Sequence, residues 1–455
     1  QIMMGEEESL PGDGPFYEQP RFWQGLFVIA IILNVYVILN SDFGLDAHVE
    51  GAYVETDEGW VLDWGDTRTE DPLASNPDDA KIIVSADALV PDGSETPLEI
   101  DGYDFSPDRS LLLLFTNSER VWRRNSRGDY WVYDREGKTL KKLGGPKATP
   151  SSLMFAKFSP AGTHVAYVRE DHIHIESLTD HSIRTLTTSS NNQTFNGRFD
   201  WVYEEELGIR EGFRWSPDGS AIAYWQFDET GVRRQTLVDN VSALYPKVTR
   251  FGYPKVGQQN ASCRIGVVEV ETAETTWIRV PGDPRENYLA RMEWAGPKNS
   301  DQLVIQQLNR AQNKKLVMIA ERRGGAVTTV LTEKDSTWVV VNNDLNWTPD
   351  GKSFTWTSER DGWEQLYRIS RDGTKTTKLT TDNFDIDLLH VDTSGLWAYF
   401  LASPQNPAHR YLYRVGLDGE GLTRLTPESE RRGTHSYRIS PSGDFAVWTR
   451  SDADT

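Results

Sequence analysis

Three carboxylates stand in a row at Glu204, Glu205 and Glu206, inside the string DWVYEEELG at residues 200–208. Like charges side by side repel and hold each other's pKa up, so such a run is ordinarily left in water. Here Trp201 and Tyr203 stand beside it, and the aromatic neighbours ask what the charges are for. Other chemistry-bearing patterns are sparse. His172 and His174 of DHIHIE alternate along an expected strand and mimic a metal pair, but no third ligand accompanies them, so no metal is expected. No G-x-S-x-G nucleophile elbow occurs in the 455 residues, and without a nucleophile there is no acyl transfer. Phosphate loops, dinucleotide fingerprints and haem-attachment motifs are missing too, so no cofactor is expected.

The frame that must hold the carboxylates is all-β. A chain of 455 residues exceeds one compact domain and is either several domains or one large repeat architecture. Its 16 Trp, 17 Tyr and 17 Phe among 36 Gly and 22 Pro give the aromatic, turn-rich profile of strands and favour the repeat. The balance of 68 acidic against 48 basic residues, a net charge of −20, argues against binding a phosphate backbone, so nucleic acid is not an expected partner. Cys263 is the single cysteine, so no internal disulfide forms, which fits a cytoplasm or a bacterial periplasm.

One segment breaks this profile. FWQGLFVIAIILNVYVIL at 22–39 carries no charge, and as a helix it would span about 27 Å, enough for a bilayer. The leader holds Glu6, Glu7, Glu8 and Asp13 and no small-residue cleavage site follows, so a retained anchor is expected rather than a signal peptide. The expected organisation is a tail at 1–21, a transmembrane helix at 22–40 and a β-domain at 41–455. Arg21 places the N-terminus in the cytoplasm and the β-domain outside, in the periplasm. Gln24 and Asn34 within the span suit a protein partner in the membrane.

The β-domain reads as repeats. FSPDR at 105–109, FSPAG at 158–162, WSPDG at 215–219, WTPDG at 347–351 and ISPSG at 439–443 share one turn signature, with weaker copies in WAGPKN at 294–299 and VDTSG at 391–395. Pro sets the first turn position and Gly tolerates the left-handed one, so each copy marks a hairpin. Most copies are about 45 to 57 residues apart, the period of a propeller blade. Alternating strands follow the turns (HVAYVRE, AIAYWQFD, SFTWTSE), and YWVYDREGKTLKKLG and LYRISRDGTKTTKLT supply second hairpins. With a degenerate start at VLDWGD (61–66), these predict about eight blades, the last incomplete. The long gap between Ser216 and Ala295 predicts an insertion of about 25 to 30 residues within one blade.

DWVYEEELG at 200–208, GFRWSPDGSAIAYWQFDETGV at 212–232 and YPKVTRFGYPKVG at 245–257 resemble the propeller domain of the dipeptidyl-peptidase IV family of prolyl-oligopeptidase-like serine peptidases, in their bacterial form. SSLMFAKFSPAG at 151–162 and RVWRRNSRGDYWVYD at 120–134 are similar to the same family. The resemblance implies that a double glutamate on a short helical insertion, here Glu205 and Glu206, grips the free amino terminus of a peptide, with Arg123 from a neighbouring blade. Carboxylates partly desolvated by aromatic rings and balanced by a guanidinium attract an ammonium ion far better than one exposed Glu does.

The resemblance also implies an α/β-hydrolase domain after the propeller, and no such domain or nucleophile elbow is expected within these 455 residues. The expectation is therefore a non-enzymatic, membrane-anchored propeller that serves as an accessory subunit or docking scaffold of a membrane complex, photosynthetic or respiratory. Its alternative is the N-terminal-amine-binding part of a membrane-anchored dipeptidyl peptidase whose hydrolase domain lies outside this chain. A third reading is a module that holds peptide N-termini without cutting them.

Overall fold

The computed structural model describes residues 50–56, 59–65, 83–189, 191–381, 383–426, 433–444 and 446–451. The segment 22–40, expected to span a membrane, lies outside them. Among the described residues no helix is long and apolar enough to cross a bilayer. The chain divides into two units, Gln1–Ala86 and Asp87–Thr455. In the first, Glu50–Thr56 pairs antiparallel with Gly59–Gly65, so the expected degenerate start is a hairpin.

The second unit is a succession of antiparallel sheets taken up in chain order. Four strands from Ile100–Phe105 to Thr139–Lys142 make its first sheet, and four from Met154–Phe158 to Ile183–Thr185 make the second. The third has five strands: Thr194–Asn196 and Phe213–Trp215 both pair with Ala221–Asp228, which continues through Ser262–Glu269 to Thr275–Trp277. The fourth runs from Asn287–Trp294 to Val327–Lys334, the fifth from Ser353–Ser358 to Thr376–Lys378, and the sixth from Ile386–Val391 to Thr423–Arg424. Thr434–Ile439 and Ala446–Ser451 form the last described pair. Repeated four-stranded antiparallel units of this kind are the element of a β-propeller.

Five of the seven copies of the turn signature join the first two strands of their sheet, WSPDG joins Phe213–Trp215 to Ala221–Asp228, and WTPDG leads into Ser353–Ser358 with Trp347 bridging Phe354; the side chains show why. Ser216 Oγ donates to Asp218 Oδ1 at 2.6 Å, the same oxygen accepts from Ser220 N at 3.0 Å, and Ala221 N donates to Ser216 Oγ at 3.0 Å. Ser106, Asp108, Ser110 and Leu111 repeat the pattern. Gly219 closes the turn at φ +70°, a left-handed conformation that costs glycine least.

Period-two alternation then decides which neighbour each residue packs against. Within Ala221–Asp228, Ala221, Ala223, Trp225 and Phe227 enter a core shared with Leu289, Met292 and Ile305 of the fourth sheet. Ile222 and Tyr224 face the other way, into a core with Ala166, Val168 and Ile173 of the second sheet. Seven of the eight residues of this strand are therefore buried, and a sheet covered on both faces reads as a near-continuous apolar run.

The inserted segment is the hairpin Arg234–Asp239 with Lys247–Gly252, paired from Arg234 opposite Gly252 to Asp239 opposite Lys247. It interrupts the third sheet between Ala221–Asp228 and Ser262–Glu269, where the long gap predicts it.

Candidate functional site

A second interruption of the third sheet carries the carboxylates. Helix α1, Trp201–Leu207, lies between Thr194–Asn196 and Phe213–Trp215. The two ends of its loop are pinned together: Gly212 N donates to Gly197 O at 3.0 Å, and Arg198 bridges Glu211 in antiparallel fashion. A Cβ on Gly212 would stand 2.4 Å from the Gly197 carbonyl carbon, so this close approach demands glycine.

Asp200 caps α1 by accepting from Tyr203 N at 2.9 Å, and Gly208, at φ 66°, ends it in the left-handed region. Asp200 is buried, and burial pushes its carboxyl up to about 7, against the hydrogen bond from Tyr203 and with the Glu229 charge adding to the rise. Tyr203 and Leu207, one helical turn apart, point into the core. The Tyr203 ring meets Phe227 edge to face at 4.7 Å and stacks on Phe199 at 5.8 Å, and its hydroxyl accepts from Leu289 N at 2.9 Å. With Tyr203 and Leu207 turned inward, the glutamates are left on the rim of the helix.

The three carboxylates occupy three different environments. Glu206 is exposed. Glu205 has a side chain only 9% exposed and accepts from Arg123 Nε. Glu204 is half-buried, and one of its carboxylate oxygens is buried without a hydrogen-bond partner. Burial pushes the Glu204 carboxyl up to about 7; the Arg210 guanidinium opposes the shift, the Glu205 charge adds to it, and Arg124 opposes it. A carboxyl in this state holds its negative charge at a cost that a nearby cation would relieve.

Arg123 arrives from the first sheet. Its long strands Leu111–Arg120 and Asn125–Asp134 end in a tip tied by Val121 N to Arg124 O at 3.1 Å and by Arg120 Nε to Trp122 O at 2.8 Å. The arginine side chain is 79% exposed except where it meets Glu205, 82 residues away in sequence. Behind α1, Lys157 of the second sheet pairs with Glu211, and Arg214 Nε donates to Glu293 Oε1 of the fourth at 2.7 Å. Burial pushes the Glu211 carboxyl up, and the Lys157 ammonium outweighs it and holds the group below its usual range. These ion pairs tie the base of the loop to both neighbouring sheets.

Of the residues expected from the sequence, the structure brings Arg123 to Glu205 and leaves Glu206 exposed on the next position. Glu204, Arg124 and Arg210 belong to the same charged group; the run of three glutamates signals Glu204, the string RVWRRN signals Arg124, and no motif marks Arg210. His172 and His174 serve the second sheet. His174 Nε2 lies 3.2 Å from Arg169 O and its Nδ1 3.1 Å from Thr185 Oγ1, while His172 Nδ1 meets Asn196 Nδ2 at 3.2 Å. Among the described residues no cluster of three or more His, Cys, Asp or Glu side chains is arranged to hold a metal.

Sheets repeated in chain order, with a carboxylate–guanidinium contact on a helical insertion, define a propeller-type domain with a charged site on its rim. The sequence profile of the dipeptidyl peptidase IV (DPP IV) N-terminal region matches residues 106–455, and the chain belongs to that family. It is 26% identical over 405 residues to dipeptidyl peptidase 4 of Arthroderma otae, covering 85% of this chain and 51% of the relative. It is 26% identical over 404 residues to dipeptidyl peptidase 4 of Trichophyton rubrum, with the same coverage of 85% and 51%. The crystal structure of Porphyromonas gingivalis dipeptidyl peptidase 4 superposes with a TM-score of 0.75 at 24% identity, over 91% of this chain and 57% of that one, which shows the fold. The chain spans about half the length of the curated relatives it matches.

Proposed function

We propose that this chain is the substrate-holding N-terminal region of a dipeptidyl peptidase, and that Glu205, with Glu204 and Glu206 beside it and Arg123 across from it, receives the free amino terminus of a peptide. The observation that carries the reading is the contact between Arg123 and Glu205, two residues 82 positions apart, beside the half-buried Glu204. A peptide ammonium has three donors, and carboxylates held at a desolvated rim accept them in charge-assisted hydrogen bonds. Its positive charge also restores what burial takes from Glu204. Arg123 offsets part of the acidic charge and keeps Glu205 oriented before the peptide arrives.

The relatives that carry the name dipeptidyl peptidase 4 are about twice as long, and these 455 residues hold no G-x-S-x-G elbow. Bond cleavage therefore belongs to a hydrolase domain with which this region works. A docking role in a photosynthetic or respiratory membrane complex draws no support from the described residues. The proposal extends to about eight blades, the last incomplete, and to a tether through residues 22–40 with the propeller on the periplasmic side. A solved structure with another number of blades ends the first, and release of the protein from membranes by alkaline carbonate ends the second.

Calorimetry with the dipeptide Ala-Pro and its N-acetylated form tests the amine site. Ala-Pro should bind, acetylation should abolish the heat, and Glu205→Gln should weaken binding by about tenfold or more, the loss of one charge-assisted hydrogen bond. Equal binding of the acetylated peptide would sink the reading.

A further inference from the structure

An ion pair at a surface does not hold a loop in place by itself. The Arg123 side chain is 79% exposed, and an exposed pair is screened by water and opposed by the entropy of a long side chain. Something else must keep the tip of the first sheet's hairpin over α1. The residues that do so come from a third segment, the foot of the inserted hairpin.

Trp122, immediately before Arg123, lies against Phe251 with ring centroids 4.6 Å apart. Trp201, the first residue of α1, lies against Tyr253 at 4.3 Å. Phe251 and Tyr253 meet edge to face at 6.0 Å. The four rings form an unbroken ladder from the arginine tip to the glutamate helix, and its two middle rungs belong to the inserted hairpin. The foot is held in turn: Tyr253 N donates to Arg233 O at 2.9 Å, and Arg234 lies 3.8 Å from the half-buried Glu229. Aromatic pairs at these separations attract beyond their buried area and, with few rotatable bonds, lose little freedom in doing so.

We propose that Phe251 and Tyr253 are positioning residues for the amine site, holding the Arg123 tip and the Glu205 helix in register through this ladder of rings. As a statement about peptide binding it rests on the reading of Glu205 and Arg123 given above. The two rings act through Trp122 and Trp201, the residues that set where the guanidinium and the carboxylates begin.

Hydrogen–deuterium exchange on the full chain, compared between wild type, Phe251→Ala and Phe251→Tyr, tests the ladder without any ligand. Phe251→Ala should speed exchange by about tenfold at amides of both 121–125 and 202–207, while Phe251→Tyr, which keeps the ring, should leave both near wild type. Calorimetry with Ala-Pro on the same proteins should show affinity about tenfold weaker in Phe251→Ala and restored in Phe251→Tyr. Trp122→Ala guards against a hairpin that simply fails to form, because it removes the outer rung and leaves the hairpin sequence intact; it should free 121–125 to the same degree. Unchanged exchange at both segments in Phe251→Ala, or changes confined to 234–252, overturn the proposal. If wild type binds Ala-Pro no better than its N-acetyl form, the amine reading fails, and the exchange data still decide the ladder.

Discussion

Two insertions interrupt the third sheet, and they are held in opposite ways. Helix α1 is nailed down from below: Tyr203 and Leu207 are buried among Phe199, Phe227 and Leu289, and the ends of its loop are pinned at Gly197 and Gly212. The hairpin Arg234–Gly252 stands away from the core. Leu237 and Val238 are about half exposed, and Leu244 and Tyr245 at its far end are 92% and 80% exposed. The helix therefore borrows the rigidity of the sheets on either side, which suits a site that must present charges at fixed positions. The hairpin is ordered at its foot and free at its tip, and a two-stranded hairpin alone is marginal in water.

The contrast breaks most sharply at Tyr203. Tyr203→Ala removes a buried ring and leaves Leu289 N without its acceptor, so a loss of about 3–5 kcal/mol is expected from urea unfolding. A loss below 1 kcal/mol would mean that α1 is no better anchored than the hairpin. Next comes the helix cap. Asp200→Ala should cost about 1 kcal/mol and fray α1, seen as faster amide exchange at Tyr203 and Glu204, with no change at 234–252.

Acidity sharpens the comparison further. Burial raises the Glu204 carboxyl from about 4.5 to about 7, so between these values the folded protein holds a proton that the unfolded chain releases. Stability should fall as pH rises through this window and level off above it. Glu204→Gln removes that contribution, so its stability relative to wild type should improve from pH 5 to pH 8. A difference that stays constant over the range would place Glu204 in water, like Glu206. The smallest effect belongs to the hairpin tip. Leu244→Ser and Tyr245→Ser should change the unfolding free energy by less than about 0.5 kcal/mol, because both side chains are already solvated. A larger loss from either would show that the tip is packed in solution.

Much of the frame was legible because its signals are local. Each turn string fell just ahead of a strand of its sheet, since the Ser, Asp and Gly of WSPDG carry their own hydrogen bonds and left-handed residue wherever they occur. The 79-residue spacing between Ser216 and Ala295 located the inserted hairpin, because a blade has a nearly fixed length. The site was legible only in part. Glu205 and Arg123 came from matching strings, but the inequality of the three glutamates did not show. Which one is paired, which is half-buried and which is exposed follows from the rotation of α1, and that rotation is fixed by Tyr203 sinking into a core built from residues as distant as Leu289.

The amino-acid sequence alone determined an all-β repeat, the position of its turns, the place of its inserted hairpin and the lack of a nucleophile elbow within these residues, because period-two alternation and turn chemistry act over a few neighbouring positions. The meeting of Arg123 with Glu205 and the upward shift of the Glu204 pKa were decided by tertiary structure alone. So was the ring ladder through Phe251 and Tyr253. Contacts between segments dozens of residues apart depend on how whole sheets pack, and burial, which sets the energy of a charge, exists only once they have packed.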